Sequence, residues 1–120
     1  MDERILLIEP YNDLIEVFSC FLEELGYQFD VVNGTDVDET NLSMNRYICV
    51  LINIDQNSGP WRECGVGLAE TASRLHVPVV MIADHEVDAA TVMAKGWKPV
   101  RKPFTLEKLG SAISQALHAA

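Results

Sequence analysis

The sequence predicts an α/β fold in which a doubly wound parallel sheet of five strands carries helices on both faces. Short continuous apolar runs recur along the chain and alternate with segments of helical periodicity. Such runs are typical of parallel strands, which are buried on both faces. Parallel strands need long crossovers, nearly always right-handed, so strict alternation of strand and helix places helices on both sides of the sheet.

The first strand and helix lie near the amino terminus. Residues 5–8 form an apolar strand, and from about Asn12 the apolar residues take a helical period. Asn12 or Asp13 is expected to cap this helix, and Gly26 to end it. The apolar stripe consists of Leu14, Ile15, Phe18, Phe21, Leu22 and Leu25.

The middle of the chain holds the strongest strand. Residues 29–32 predict a second strand, and 36–43 a weak helix. Residues 47–54 (YICVLINI) are apolar except for Asn53 near their carboxyl end, so we expect a central strand there.

Two further strand and helix pairs complete the alternation. After a polar loop, 66–75 predict a helix, 77–82 a fourth strand and 86–95 a helix ended by Gly96. Residues 97–101 contain a proline, which restricts them to a short edge strand. Thr105 is expected to cap the last helix. The inward residues of that helix are Leu106, Leu109, Ile113, Ala116 and Leu117.

Length and charge limit the classes of function. With 120 residues, 48% of them hydrophobic, the chain is expected to form one domain over 1–120. Eighteen acidic residues against nine basic ones give a net charge of −9, which repels nucleic acid and anionic lipid. The amino terminus lacks a signal-peptide pattern and no apolar run could span a membrane, so we expect a cytoplasmic protein.

The three cysteines indicate neither a disulfide framework nor a zinc site. Their number is odd and they form no C-x-x-C pair. Cys20 and Cys49 stand among apolar neighbours and are expected in the core, whereas Cys64 is expected in a glycine-flanked loop.

A candidate site is expected at the carboxyl ends of the strands. In the flavodoxin-like order 2-1-3-4-5, ligands bind where the strand order reverses, between the first and third strands. The residues expected to meet there are Glu9, Asn53, Ala83, Asp84 and Lys102. No nucleophile with its base and no glycine-rich phosphate loop accompanies them, so we expect no enzyme.

Four segments in this order resemble the receiver domain of response regulators in two-component phosphorelay signalling, chemotaxis type included. They are ILLIEP, YICVLINI, VPVVMIAD and VRKPF, and the resemblance covers roughly 4–116. It implies Mg²⁺ held by two acids after the first strand and by an aspartate ending the third. That aspartate takes phosphate from a histidine kinase, and a hydroxyl and an aromatic residue relay the change.

This sequence departs from the pattern that the resemblance implies. Glu9 and Lys102 match it. Pro10 stands at the second acid position, Asn53 at the phosphoacceptor, Ala83 at the hydroxyl and Pro99 at the aromatic switch position.

The substitutions have chemical consequences of their own. An acyl phosphate requires a carboxylate nucleophile, which the amide of Asn53 does not supply. Glu9 and Lys102 sum to zero charge and leave a cation little reason to bind. We therefore expect no cofactor, with Mg²⁺ lost. We hypothesise a locked pseudo-receiver in which Lys102 pairs with Glu9 and reaches the Asn53 oxygen.

One alternative stays open at the sequence level, a working phosphoacceptor that uses Asp55 or Asp84 with Mg²⁺. Otherwise the chain is expected to bind a signalling protein, such as a histidine kinase or another regulator, or a second copy of itself. Its contact surface is expected on the fourth helix, last strand and last helix. The residues expected there are Met93, Trp97, Lys98 and Arg101.

Overall fold

The computed structural model describes residues 4–9, 11–33, 47–53, 60–83, 92–102 and 104–118. The strands are β1 (Arg4–Glu9), β2 (Gln28–Asn33), β3 (Tyr47–Asn53), β4 (Val79–Ala83) and β5 (Lys98–Arg101). The helices are α1 (Asn12–Glu24), α2 (Pro60–Arg74) and α3 (Leu106–His118), and residues 92–94 are also helical. The expected helix over 36–43 lies outside the described residues.

The five strands form one parallel sheet in the order β2-β1-β3-β4-β5. The predicted flavodoxin-like arrangement is therefore confirmed, with β3 at the centre and the proline-containing β5 at an edge. Both faces of the sheet are buried. Leu6 and Ile8 of β1 face a cluster that includes α2, while Ile5 and Leu7 face a second cluster that includes α1 and α3. The near-continuous apolar runs of β1, β3 and β4 are what two covered faces require.

The α1 helix begins differently from the expectation. Its N-cap is Tyr11, which makes no capping bond through its side chain, so the expected cap at Asn12 or Asp13 is wrong. Both of those residues already lie in the first turn. The expected end is confirmed, since Gly26 has a φ of 86° and donates its N–H to the Glu23 carbonyl oxygen.

The α2 helix begins at Pro60 and not at residue 66. Proline suits a first helical turn because its missing N–H would have no partner there. The expected loop is therefore too long, and Cys64 lies within a helix. The other cysteine prediction is half right, because Cys49 is buried and Cys20 is exposed.

Residues 92–97 turn a different side inward than the sequence suggested. Val92 is a core residue, whereas Ala94 is exposed. Trp97 is 6% exposed and belongs to the core, while Met93 is 65% exposed. Gly96, with a φ of 82°, ends the helical turn as expected.

The last helix follows the prediction closely. The Thr105 hydroxyl accepts a bond from the Lys108 backbone N–H at 3.1 Å, so the expected cap is confirmed. Leu109, Ile113 and Ala116 are buried. Among the helices described, none has the length and apolar character that crossing a bilayer requires.

Candidate functional site

The strand register brings four of the expected site residues to one edge of the sheet. Ile8 pairs with Ile52, and Asn53 with Ile82. Glu9 follows Ile8 and Lys102 follows the last residue of β5, so Glu9, Asn53, Ala83 and Lys102 all stand at carboxyl strand ends. Pro10, Asp55 and Asp84 lie outside the described residues.

Glu9 and Asn53 are buried on the two central strands. Their exposed fractions are 0% and 1%, and they are the buried polar residues among the described part of the core. Polar groups are taken out of water at a cost of several kcal/mol unless they are hydrogen-bonded, about 2–7 kcal/mol for an amide-like group. A carboxyl and an amide at this depth indicate a site built for a specific arrangement of polar groups.

The Glu9 carboxylate stabilises the start of α1. Its Oε1 accepts a hydrogen bond from the Tyr11 backbone N–H at 3.2 Å, and Tyr11 is the N-cap residue of that helix. A negative charge at a helix amino terminus is favourable because the helix dipole is positive there. Glu9 therefore stabilises the first turn of α1, where the N-cap residue Tyr11 makes no capping bond through its own side chain.

Lys102 is half-buried at the end of β5. Adjacent strands lie about 4.8 Å apart, so β5 stands roughly 10 Å from β3 and roughly 14 Å from β1. The Lys102 side chain must therefore lean across β4 to approach Asn53, and further to approach Glu9. The expected pairing of Lys102 with both residues stays a prediction.

The switch position and the expected partner surface lie along β5. Pro99 is half-buried in this edge strand, beside Met81 of β4. Lys98 is half-buried and Arg101 exposed. Met93 is the most exposed of the large apolar residues described.

Trp97 does not stand on that surface, contrary to the sequence expectation. Its indole Nε1 donates a hydrogen bond to the Ser73 hydroxyl at 2.6 Å, and the Lys95 ammonium lies 5.5 Å from the ring centroid. Lys95 also contacts Glu70 at 2.9 Å, and this hydrogen bond, together with the Lys95 charge, lowers the pKa of the Glu70 carboxyl. Trp97 thus fixes the turn after residues 92–94 to α2.

A polar network at the opposite end of the sheet was not anticipated from the sequence. Arg4 donates two hydrogen bonds to one Asp30 oxygen, at 2.8 and 3.1 Å, and the Tyr47 hydroxyl donates to the other at 2.9 Å. These contacts join β1, β2 and β3 and favour their observed register. One feature of the sequence could have indicated this network: Arg4 is the sole basic residue among residues 1–45, where acidic residues are numerous.

The described residues offer little for metal or thiol chemistry. No three histidine, cysteine, aspartate or glutamate side chains gather into a metal site within them. Burial raises the pKa of the Cys49 thiol to about 12. A thiol so rarely deprotonated is a poor nucleophile.

Comparison with solved structures places this geometry among receiver folds. A response regulator receiver protein from Sinorhizobium medicae superposes with a TM-score of 0.75 at 24% identity, covering 98% of this chain and 96% of that one. A receiver domain protein from Clostridium thermocellum gives a TM-score of 0.73 at 20% identity, covering 98% and 95%. A response regulator receiver protein from Pseudoalteromonas atlantica gives a TM-score of 0.77 at 18% identity, covering 97% of this chain and 98% of that one. The chain therefore has the response-regulator receiver fold.

The sequence itself assigns the family. The family model described as "Flagellar regulatory protein FleQ" matches residues 4–118, nearly the whole chain, and the chain belongs to that family. None of the curated proteins compared with the chain matches it.

Proposed function

We propose that this chain is a receiver domain of two-component signalling that acts as a non-catalytic protein-interaction module and is not phosphorylated at Asn53. The observation that carries the proposal is the buried amide at the carboxyl end of β3, where the phosphoacceptor of a receiver is expected. An amide has no charged oxygen with which to attack a phosphoryl group.

The neighbouring carboxylate is a poor substitute for the acceptor. Glu9 is fully buried, and its Oε1 already accepts the Tyr11 backbone N–H. A nucleophile must reach an incoming phosphodonor, and this carboxylate would have to give up its place at the α1 amino terminus to do so. This favours a structural role for Glu9.

The donor set also fits Mg²⁺ poorly. Mg²⁺ prefers near-octahedral oxygen ligands, commonly including one or two carboxylates. The buried residues at the described strand ends supply one carboxylate, at Glu9, and one amide, at Asn53, with Lys102 on the same edge. One negative and one positive side chain leave no net charge to attract a divalent cation. We propose that no metal is needed to maintain this edge.

The partners follow from the surface and the family. The family description, a flagellar regulatory protein, supports a partner in flagellar regulation, such as a histidine kinase, another regulator or a second copy of the chain. The contact surface is proposed at Met93, Lys98 and Arg101, without the buried Trp97. The net charge of −9 disfavours nucleic acid and anionic membranes, which suits a cytoplasmic regulator.

Phosphodonor labelling tests the proposal. The protein is incubated with acetyl phosphate and Mg²⁺, and its intact mass is measured, with a receiver that retains its aspartate as the positive control. We expect no added phosphoryl group. A phosphorylated aspartate would overturn the proposal. The variants Asp55→Asn and Asp84→Asn would then show which residue is the acceptor, because the label should vanish in one of them.

A further inference from the structure

The outward face of α1 carries four acidic residues. Asp13, Glu16, Glu23 and Glu24 are all exposed, and the helix contains no basic residue. Glu16 follows Asp13 by three residues, and Glu23 and Glu24 follow Glu16 by seven and eight, which places the four carboxylates on one side of the helix. Val17, which is 43% exposed, lies beside them. Within the described part of the chain, none of these four carboxylates forms an ion pair.

A groove of opposite charge lies between β5 and α3. Its volume is about 250 Å³, and it is lined by the cations Lys98, Arg101 and Lys108, with no acidic residue among the described residues that line it. Pro99, Val100 and Ala112 contribute apolar surface to it. Among the described residues, neither Lys98 nor Lys108 has a carboxylate within ion-pair distance. A basic groove stands out in a chain with a net charge of −9.

The two surfaces lie at opposite edges of the same molecule. Both helices cover one face of the sheet, but α1 packs on β1 and β2, whereas α3 packs chiefly on β5. Four strand spacings, roughly 19 Å, separate β2 from β5. The acidic face and the basic groove of one molecule are therefore directed toward different neighbours.

We propose that the groove receives the acidic α1 face of a second copy of this chain, in a head-to-tail contact. The contact would seat Val17 on the apolar part of the groove and place carboxylates beside Lys98, Arg101 and Lys108. One contact then accounts for the four α1 carboxylates and for Lys98 and Lys108, none of which forms an ion pair among the described residues. The inference rests on the proposed function, since it names the partner of the same β5 surface.

The arrangement has a consequence for assembly. Because the two contacting surfaces differ, a bound pair keeps one unused α1 face on one copy and one unused groove on the other, so association continues until a ring closes. At physiological ionic strength the Debye length is about 8 Å, which screens the repulsion between the net charges more than it screens charges in contact. Growth of the assembly with protein concentration is therefore expected.

Analytical ultracentrifugation of charge-reversal variants tests the contact. Wild-type protein is expected to show an average mass that rises with concentration. Lys108→Glu removes a groove cation, Glu16→Lys removes an acidic residue of α1, and each is expected to weaken association on the order of tenfold. Arg74→Glu, the same charge change at an exposed position on α2, is the matched control and should associate like wild type.

Mixing the variants gives the decisive result. Lys108→Glu retains its α1 face and Glu16→Lys retains its groove, so a mixture of the two should associate at a concentration at which each variant alone is mainly monomeric. Circular dichroism confirms that both variants fold. Wild-type protein that stays monomeric at the highest concentration reached, or a mixture that stays monomeric, would overturn the proposal.

Two further outcomes separate this inference from the proposed function. If monomeric wild-type protein binds polyglutamate through Lys108, the groove serves an acidic segment of another protein, and the second-copy contact is wrong while the interaction module stands. If acetyl phosphate labels an aspartate, the proposed function is wrong whatever the sedimentation shows.

Discussion

Replacing Asn53 with aspartate tests the charge balance at the carboxyl edge of the sheet. The change preserves shape and adds one carboxylate beside Glu9 on the adjacent strand, where both residues are buried. At a separation of about 5 Å and an effective dielectric constant of about 20, two carboxylates repel by about 3 kcal/mol. We therefore expect Asn53→Asp to lower the free energy of unfolding by about 2–3 kcal/mol at neutral pH.

The pH dependence identifies the cause. Repulsion and burial raise the pKa of the introduced carboxyl in the folded state above its unfolded value of about 3.9, so the folded variant binds more protons than the unfolded chain. Stability relative to wild type then falls as pH rises through the folded pKa. The loss of unfolding free energy relative to wild type should be largest at neutral pH and should decrease as the pH approaches about 4.

The effect is measured as the difference in unfolding free energy between variant and wild type, from urea unfolding at several pH values. Gln115→Glu, the same amide-to-acid change at an exposed position on α3, is the matched control and should alter stability by no more than about 0.5 kcal/mol. An Asn53→Asp variant as stable as wild type at neutral pH would refute the reasoning. It would show that Glu9 does not destabilise a carboxylate at position 53.

Three other outcomes are expected from the structure. His76 has a φ of 62° at the end of α2, so His76→Gly should stabilise the protein by about 1 kcal/mol in urea unfolding. Ser73→Ala leaves the Trp97 indole N–H without its acceptor and should cost about 1–2 kcal/mol; a double-mutant cycle with Trp97→Phe should show that the two effects are coupled. A thiol reagent should label exposed Cys20 in the folded protein and spare Cys49, whose pKa is about 12, as peptide mapping would show.

Most of the fold was predictable because it depends on local patterns. Five apolar runs gave five strands, and parallel strands covered on both faces leave few arrangements. The errors came from residues whose environment is set by distant parts of the chain. Trp97 is buried because it packs into the apolar cluster of α2 and β4, and its indole bonds Ser73, 24 residues earlier; no periodicity near residue 97 indicates these contacts. Pro60 lies in a polar stretch that predicts a loop, but in the structure it is the first residue of α2.

The sequence predicted which residues form the candidate site better than it predicted the contacts that they make. Glu9 and Asn53 could be placed together because the carboxyl ends of neighbouring parallel strands share an edge. That Glu9 accepts the N–H of Tyr11 depends on the path of the chain between β1 and α1, which a sequence pattern does not specify. The acids of α1 can be counted in the sequence, but that they share one exposed side of the helix was not predicted, and the basic groove depends on the packing of α3 on β5.

A high-resolution crystal structure grown with magnesium and beryllofluoride is the most direct test of the central claim, that this edge is balanced by its own side chains. The account predicts the Lys102 ammonium within hydrogen-bond distance of the Glu9 carboxylate and the Asn53 oxygen, with neither metal nor fluoride bound. A magnesium ion coordinated by Glu9, or a beryllofluoride adduct on any aspartate, would contradict it.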